Sequence, residues 1–217
     1  RGAIEAGALG ALLPGGRPVA DAAARVDIST LWGVSSLPVN PGRTTSEIIS
    51  ALNSGSLDAV VVGGIDPLDM ANSSEVLAAL KKSFVVSLEI ATSAVTELAD
   101  VVLPVAAITE KSGSFLNWEG RTRAFDAAVS DSLNRSDLRI LSALADVMGE
   151  SIMLGTVTQA AREIASLGKW DGARVQLSSV VPTGAKSVSN SEALLTSWRR
   201  LLDLGTLQKG EANLAGT

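Results

Sequence analysis

Cysteine, histidine and tyrosine are all missing from this chain of 217 residues. Without cysteine there is no disulfide, no thiolate ligand for an iron–sulfur cluster and no thiol nucleophile. Without histidine there is no triad base and no imidazole metal ligand. Aromatic residues amount to 3% and charged residues to 19%, which is low for a free-standing surface. Together with 46% apolar residues, that balance suits a domain buried in part against neighbours. A net charge of −5 and the lack of any basic run argue against a nucleic-acid partner. No apolar run approaches the roughly 18–20 residues that span a bilayer, so no direct membrane insertion is expected. The start, RGAIEAG, has neither an initiator Met nor the layout of a signal peptide, and the end, KGEANLAGT, stops without a cap. Both termini are therefore expected to be cuts in a longer chain.

What is present is a run of short elements. Ile4 to Leu12 and Val19 to Trp32 each suit a short helix, separated by LLPGGRP, within an irregular opening segment of forty residues. Thr44-x-x-Glu47 reads as a capping box, with Ile48, Ile49 and Leu52 on an apolar face and Gly55 at the C-terminal cap. Leu57 to Val62 is continuous and β-branched, the pattern of a strand buried on both faces. Asn72-x-x-Glu75 opens a helix that ends in Lys81 and Lys82, followed by a strand over Phe84 to Leu88. A short helix over Ser93 to Leu98 and a strand over Val101 to Val105 follow. Alternation of this kind with short connections predicts an α/β fold with a parallel sheet flanked by helices. Ser114 to Leu116 and Thr122 to Phe125 predict a hairpin. Helices are expected from Ser136 to Gly149 and from Val157 to Leu167, then a loop over Gln176 to Ser189 and a last helix from Ser189 to Gly205. These divide the chain into an α/β domain over 1–150 and a mostly helical, incomplete C-terminal extension over 151–217.

Chemistry concentrates at two places. Gly63-Gly64-Ile65-Asp66-Pro67 leaves a strand directly, and paired glycines allow a ligand close to the backbone. A tight strand-exit turn with nothing bound is the competing reading. The run is not G-x-G-x-x-G, and PTGAKS at Pro182 to Ser187 lacks the Gly-Lys adjacency of a P-loop. The second place is Ala99 to Phe125, ADVVLPVAAITEKSGSFLNWEGRTRAF, an apolar strand feeding a charged, glycine-punctuated loop. Glu110 and Lys111 there form either an acid–base pair or an ion pair that holds the loop. Arg121 and Arg123 either clamp a phosphate or pair with Glu119 and Asp126. Trp118 and Trp198 read as packing or partner-contact residues, and the Asn72-Ser-Ser and Asn134-Arg-Ser acceptor patterns as chance.

GGIDPLDM followed by FVVSLEIATSAVTELADVVLPVAAITEKSGSFLNWEGRTRAF resembles the molybdopterin oxidoreductase superfamily. There a strand ends in G-x-(N/D)-P, and T-x-x-A-D-V-V-L-P precedes E-x-x-G-(T/S)-F-x-N-x-E-x-R. Within the superfamily the likeness is to the members built into the peripheral arm of bacterial respiratory complex I, the NADH–quinone oxidoreductases. The resemblance implies Rossmann-type layers and other peripheral-arm subunits as partners, on the cytoplasmic face of the plasma membrane. It also implies iron–sulfur clusters in an N-terminal part of the parent subunit, which this cysteine-free stretch cannot ligate. In catalytic relatives, positions matching Gly63, Gly64, Asp66, Pro67, Glu110, Gly113, Asn117 and Arg121 surround a molybdopterin guanine dinucleotide. Asp66 stands where those relatives often carry Asn, and a carboxylate facing a pyrophosphate is repulsive. The expectation is a non-catalytic structural module with a vestigial pterin-nucleotide pocket and no cofactor or metal of its own. The alternatives are the cofactor-binding part of a true molybdenum oxidoreductase, such as a formate dehydrogenase, and a stand-alone nucleotide-binding domain.

Overall fold

The computed structural model describes residues 2–70, 72–129 and 131–175, with the single positions 193 and 213. The loop expected over 176–189 and the helix expected over 189–205 lie outside the described residues. The opening segment is more ordered than its composition suggests. α1 (Gly2–Glu5) is one turn rather than a helix to Leu12, because Gly7 takes φ +85° and the chain reverses there. β1 (Leu12–Leu13) pairs antiparallel with β2 (Arg17–Pro18). α2 (Ala22–Trp32) begins where the Asp21 carboxylate accepts from the Ala24 N–H at 3.0 Å, and Gly33 ends it. Leu13, Val19 and Ile28 form a small core under it.

α3 (Thr45–Ser54) carries both halves of the expected capping box. Glu47 Oε2 accepts from the Thr44 N–H at 2.7 Å, and Thr44 Oγ1 accepts from the Glu47 N–H at 3.4 Å. β3 (Ala59–Gly63), α4 (Ser73–Lys82), β4 (Phe84–Glu89) and β5 (Val101–Pro104) follow. The three strands form a parallel sheet in the order β3-β4-β5, with Val62 opposite Ser87 and Leu88 opposite Leu103. Asn72 stands at the N-cap of α4 as expected, its amide donating to Glu75 Oε2 at 3.2 Å. One local expectation is corrected. Residues 93–98 are turns, not a helix. The Ser93 N–H donates to Thr96 Oγ1 at 2.7 Å and the Thr96 N–H to Ser93 Oγ at 3.3 Å, the reciprocal bonds that open a helix. The Glu97 N–H reaches the Ser93 carbonyl at 3.1 Å, but the Leu98 N–H turns to the Val95 carbonyl at 3.0 Å and the helix does not propagate.

The sheet is asymmetric. Val62 and Val85 share one face, where α3 and α4 bring Ile49, Val76 and Leu80 against them to make the main core. On the other face Val61 is 52% and Phe84 51% exposed. Burial of β3 on both faces is therefore corrected: among the described residues only one face has a helical layer. β6 (Gly113–Leu116) and β7 (Thr122–Phe125) form the expected hairpin. α5 (Asp137–Val147), capped by Ser136, lies at the carboxyl end of the barer face and brings Leu141 to it. α6 (Val157–Leu167), capped by Thr156, packs back on α2. There Trp32 Nε1 donates to Glu163 Oε1 at 3.0 Å, and buried Arg17 donates through Nη2 to the Leu167 carbonyl at 3.0 Å.

The asymmetry sets different costs for similar residues. Leu80→Ala removes fully buried side-chain volume and is expected to cost about 2–5 kcal/mol. Val61→Ala, on the exposed face of the same sheet, is expected to cost under about 1 kcal/mol. Urea unfolding of the two variants checks the contrast; equal losses contradict it.

Candidate functional site

A parallel sheet presents its strand ends along one edge, and ligands of α/β proteins bind there. At that edge lies a cavity of about 380 Å³, lined by Gly63 and Gly64 from the β3 exit, Leu88 and Glu89 from β4, Val105, Lys111, Asp137 and Leu141. Gly64 takes φ +63°, and a Cβ there would meet nothing within 4 Å. Glycine is thus required by the left-handed backbone and not by crowding. The turn that follows is built from its own residues. Asp66 Oδ1 accepts from the Leu68 N–H at 2.9 Å, and Pro67 is the buried first residue of a short turn, Pro67–Asp69.

Glu110 and Lys111 do not pair with each other. Lys111 Nζ meets Asp137 Oδ2 at 2.6 Å, tying the loop after β5 to the first turn of α5. The Glu110 carboxylate accepts from the Ala107 N–H at 2.8 Å, Ser132 Oγ at 2.8 Å, and Asn134 Nδ2 at 3.0 and 3.2 Å. Those donors, the Ala107 N–H foremost and then Asn134 and Ser132, hold its carboxyl below the ordinary glutamate value. Glu110 and Lys111 also line a second cavity of about 310 Å³ beside α5.

Gly113, Asn117 and Arg121 belong to the hairpin. A Cβ on Gly113 would stand 2.9 Å from the Phe125 ring, so glycine here lets Phe125 stack on Phe115 with centroids 4.7 Å apart. Asn117 Oδ1 accepts from the Arg121 N–H at 2.8 Å and closes the turn. Arg121 Nε meets Glu119 Oε2 at 3.1 Å on the surface, the acidic-neighbour alternative. Of the eight residues singled out from the sequence, Gly63 and Gly64 line the strand-end cavity. Glu110 staples the neighbouring loop, Asp66 and Pro67 form the exit turn, and the other three shape the hairpin. Sequence reasoning missed Asp137 and Glu89. The second stood in view as the first charge after an apolar strand; the first is 26 residues from its partner.

The sequence also matches the molybdopterin oxidoreductase family over residues 2–147. The chain belongs to the molybdopterin oxidoreductase family. It is 50% identical over 221 residues to the NADH-quinone oxidoreductase G subunit of Mycobacterium tuberculosis, covering all of this chain and 27% of that protein. The corresponding protein of Streptomyces coelicolor is 48% identical over 227 residues, with all of this chain and 26% of the relative covered. A nitrate reductase of Symbiobacterium thermophilum is 35% identical over 149 residues, covering 67% of this chain and 20% of the relative. The chain thus spans about a quarter of the length of its two NADH-quinone oxidoreductase relatives.

A molybdopterin guanine dinucleotide, the group this family implies, presents an anionic pyrophosphate. The lining of the strand-end cavity holds two carboxylates, Glu89 and Asp137, and one cation, Lys111, already ion-paired at 2.6 Å. Such a donor set repels a pyrophosphate rather than binding it, so the residues present do not fit the group.

Because Glu110 is held below its ordinary value, its contribution to stability is fully present above the unfolded carboxyl pKa, about 4.3, and is lost as pH falls through the lower folded value. Glu110→Gln should flatten the acid limb of stability against pH, measured by denaturant unfolding between about pH 6 and pH 2. An unchanged acid limb contradicts the assignment.

Proposed function

We propose that this chain is a non-catalytic structural module of an NADH–quinone oxidoreductase electron-transfer subunit, carrying a vestigial molybdopterin-type pocket. The observation that carries the reading is the likeness to the M. tuberculosis and S. coelicolor proteins over the whole chain, where the nitrate reductase likeness covers two thirds of it. The strand-end cavity supports the same reading. Its one lining cation is neutralised by Asp137, and Asp66 uses a carboxylate oxygen on its own turn, so the polar groups of the site serve the fold.

On this reading the module contacts other peripheral-arm subunits and no bond is made or broken in it. Iron–sulfur clusters belong to the cysteine-bearing remainder of the parent subunit, and this part sits at the cytoplasmic face of the membrane. Among the described residues no helix is long and apolar enough to cross a bilayer, in keeping with peripheral placement.

The competing reading, the cofactor-binding part of a molybdenum oxidoreductase, draws on the nitrate reductase likeness. Elemental analysis of the intact parent subunit separates the two. The structural module predicts molybdenum and tungsten far below one atom per subunit, and a stoichiometric amount overturns it. Arg121→Ala, which removes an exposed ion pair worth under about 1 kcal/mol, should leave both assembly and electron flow near the unsubstituted level. Loss of electron flow in a normally assembled complex would show that Arg121 holds an anion.

A further inference from the structure

The second cavity, about 310 Å³ beside α5, shares only Lys111 with the strand-end cavity and has the opposite charge balance. Its lining holds Lys111, Arg135, Arg139 and one carboxylate, Glu110. Lys111 is engaged by Asp137, and both oxygens of Glu110 accept from the Ala107 N–H, Ser132 and Asn134. The two arginines are left over. Both are exposed, and neither guanidinium has a hydrogen bond or ion pair among the described residues. A guanidinium only donates, in a planar fork that matches a carboxylate. On a chain whose net charge is −5, this notch therefore lacks an oxyanion. Its surroundings favour one carried by a protein over a free ion. Ala127, Leu138 and Val157 give the cavity an apolar floor, which the methylenes of a side chain cover and a small ion leaves wet. Leu133, between the Ser132 and Asn134 that hold Glu110, is 98% exposed. Ile108 on the Glu110 turn and Val129, whose N–H donates to the Thr109 carbonyl at 2.9 Å, are half exposed. Arginine beside large exposed apolar residues is the composition of a protein interface.

We propose that the Arg135–Arg139 notch docks an aspartate or glutamate side chain of another subunit of the complex, with Leu133 as the apolar contact beside it. The proposal deepens the NADH–quinone oxidoreductase reading above and rests on it. The occupant follows from charge complementarity. Cations left unpaired on a free surface steer the encounter of separate chains and reject wrong partners. A segment tethered in the same polypeptide already has a high effective concentration and needs no such steering. The notch is also held ready. Arg135 precedes the Ser136 cap and Arg139 lies in the first turn of α5, so both stand on the seam that Glu110 and the Lys111–Asp137 pair fix in place.

The test uses the full-length parent protein in its native complex. Leu133→benzoylphenylalanine is irradiated there, and cross-linked peptides are identified by mass spectrometry. The expected result is a cross-link to a peptide of another subunit that contains Asp or Glu. A cross-link within the parent polypeptide or to a second copy of it, one to a peptide without an acidic residue, or none at all overturns the proposal. In parallel, Arg135→Glu combined with Arg139→Glu should lower the yield of assembled complex about tenfold or more, since like charges then face each other. Replacing the acidic residue of the cross-linked peptide by arginine should restore the yield, which a misfolded double variant does not allow. An undiminished yield, or a loss that the reversal leaves in place, overturns the proposal as well. Molybdenum content of the same preparation reports on the NADH–quinone oxidoreductase reading separately. Stoichiometric molybdenum with the expected cross-link and rescue sinks that reading and leaves the docking notch standing; a molybdenum-free complex without the cross-link does the reverse.

Discussion

The arrangement of the strand-end region depends on how one carboxylate is used. Glu110 accepts from a backbone N–H on its own turn and from side chains of Ser132 and Asn134, so it welds the loop after β5 to the segment that leads into α5. Ser136 then caps the helix, and Asp137 in its first turn reaches back to Lys111. The isolated bridge between Val105 and Arg135 runs along the same seam. Each contact is modest alone. Together they fix where α5 begins and what charge faces the cavity.

That use of polar groups bears directly on function. Ligand-binding strand ends usually present unpaired cations or backbone donors to an anion. Here the cavity keeps the glycine bend of a binding loop at Gly64, yet its charged lining is two carboxylates and one paired ammonium. The hairpin cation that could have served, Arg121, lies on the surface beside Glu119. The polar groups at the strand ends are engaged in holding loops. The half-covered sheet fits the same picture of a piece shaped by what surrounds it.

Much of the fold was legible because its determinants are local. The Thr44–Glu47 box, the Ser136 and Thr156 caps and the glycines at the ends of α2 and α3 each act within a few residues, and all of these elements stand near where the sequence places them. The parallel sheet followed from alternation and short connections. Residues 93–98 were misread because the Ser93–Thr96 cap is that of a helix start, while the chain makes a single i to i−4 bond, Glu97 to Ser93, before it tightens and stops. The one-sided burial of β3 was hidden for another reason. A run such as AVVV reports that both faces are apolar, and what covers them is decided far away in sequence. The site divided the same way. The strand-exit turn at Asp66 and the Asn117 turn are local and readable, whereas Glu110 to Ser132 and Lys111 to Asp137 are contacts that spacing does not encode.

The central claim is that a scaffold of the molybdopterin oxidoreductase family serves here as architecture, with its former cofactor edge closed by its own side chains. A density map of the parent subunit, sharp enough to place side chains around Gly64, tests this most directly. The account predicts an intact Lys111–Asp137 pair and nothing larger than water beside the Gly63–Gly64 bend. Density for a guanylated pterin there, with its pyrophosphate within hydrogen-bond reach of Lys111, would contradict it.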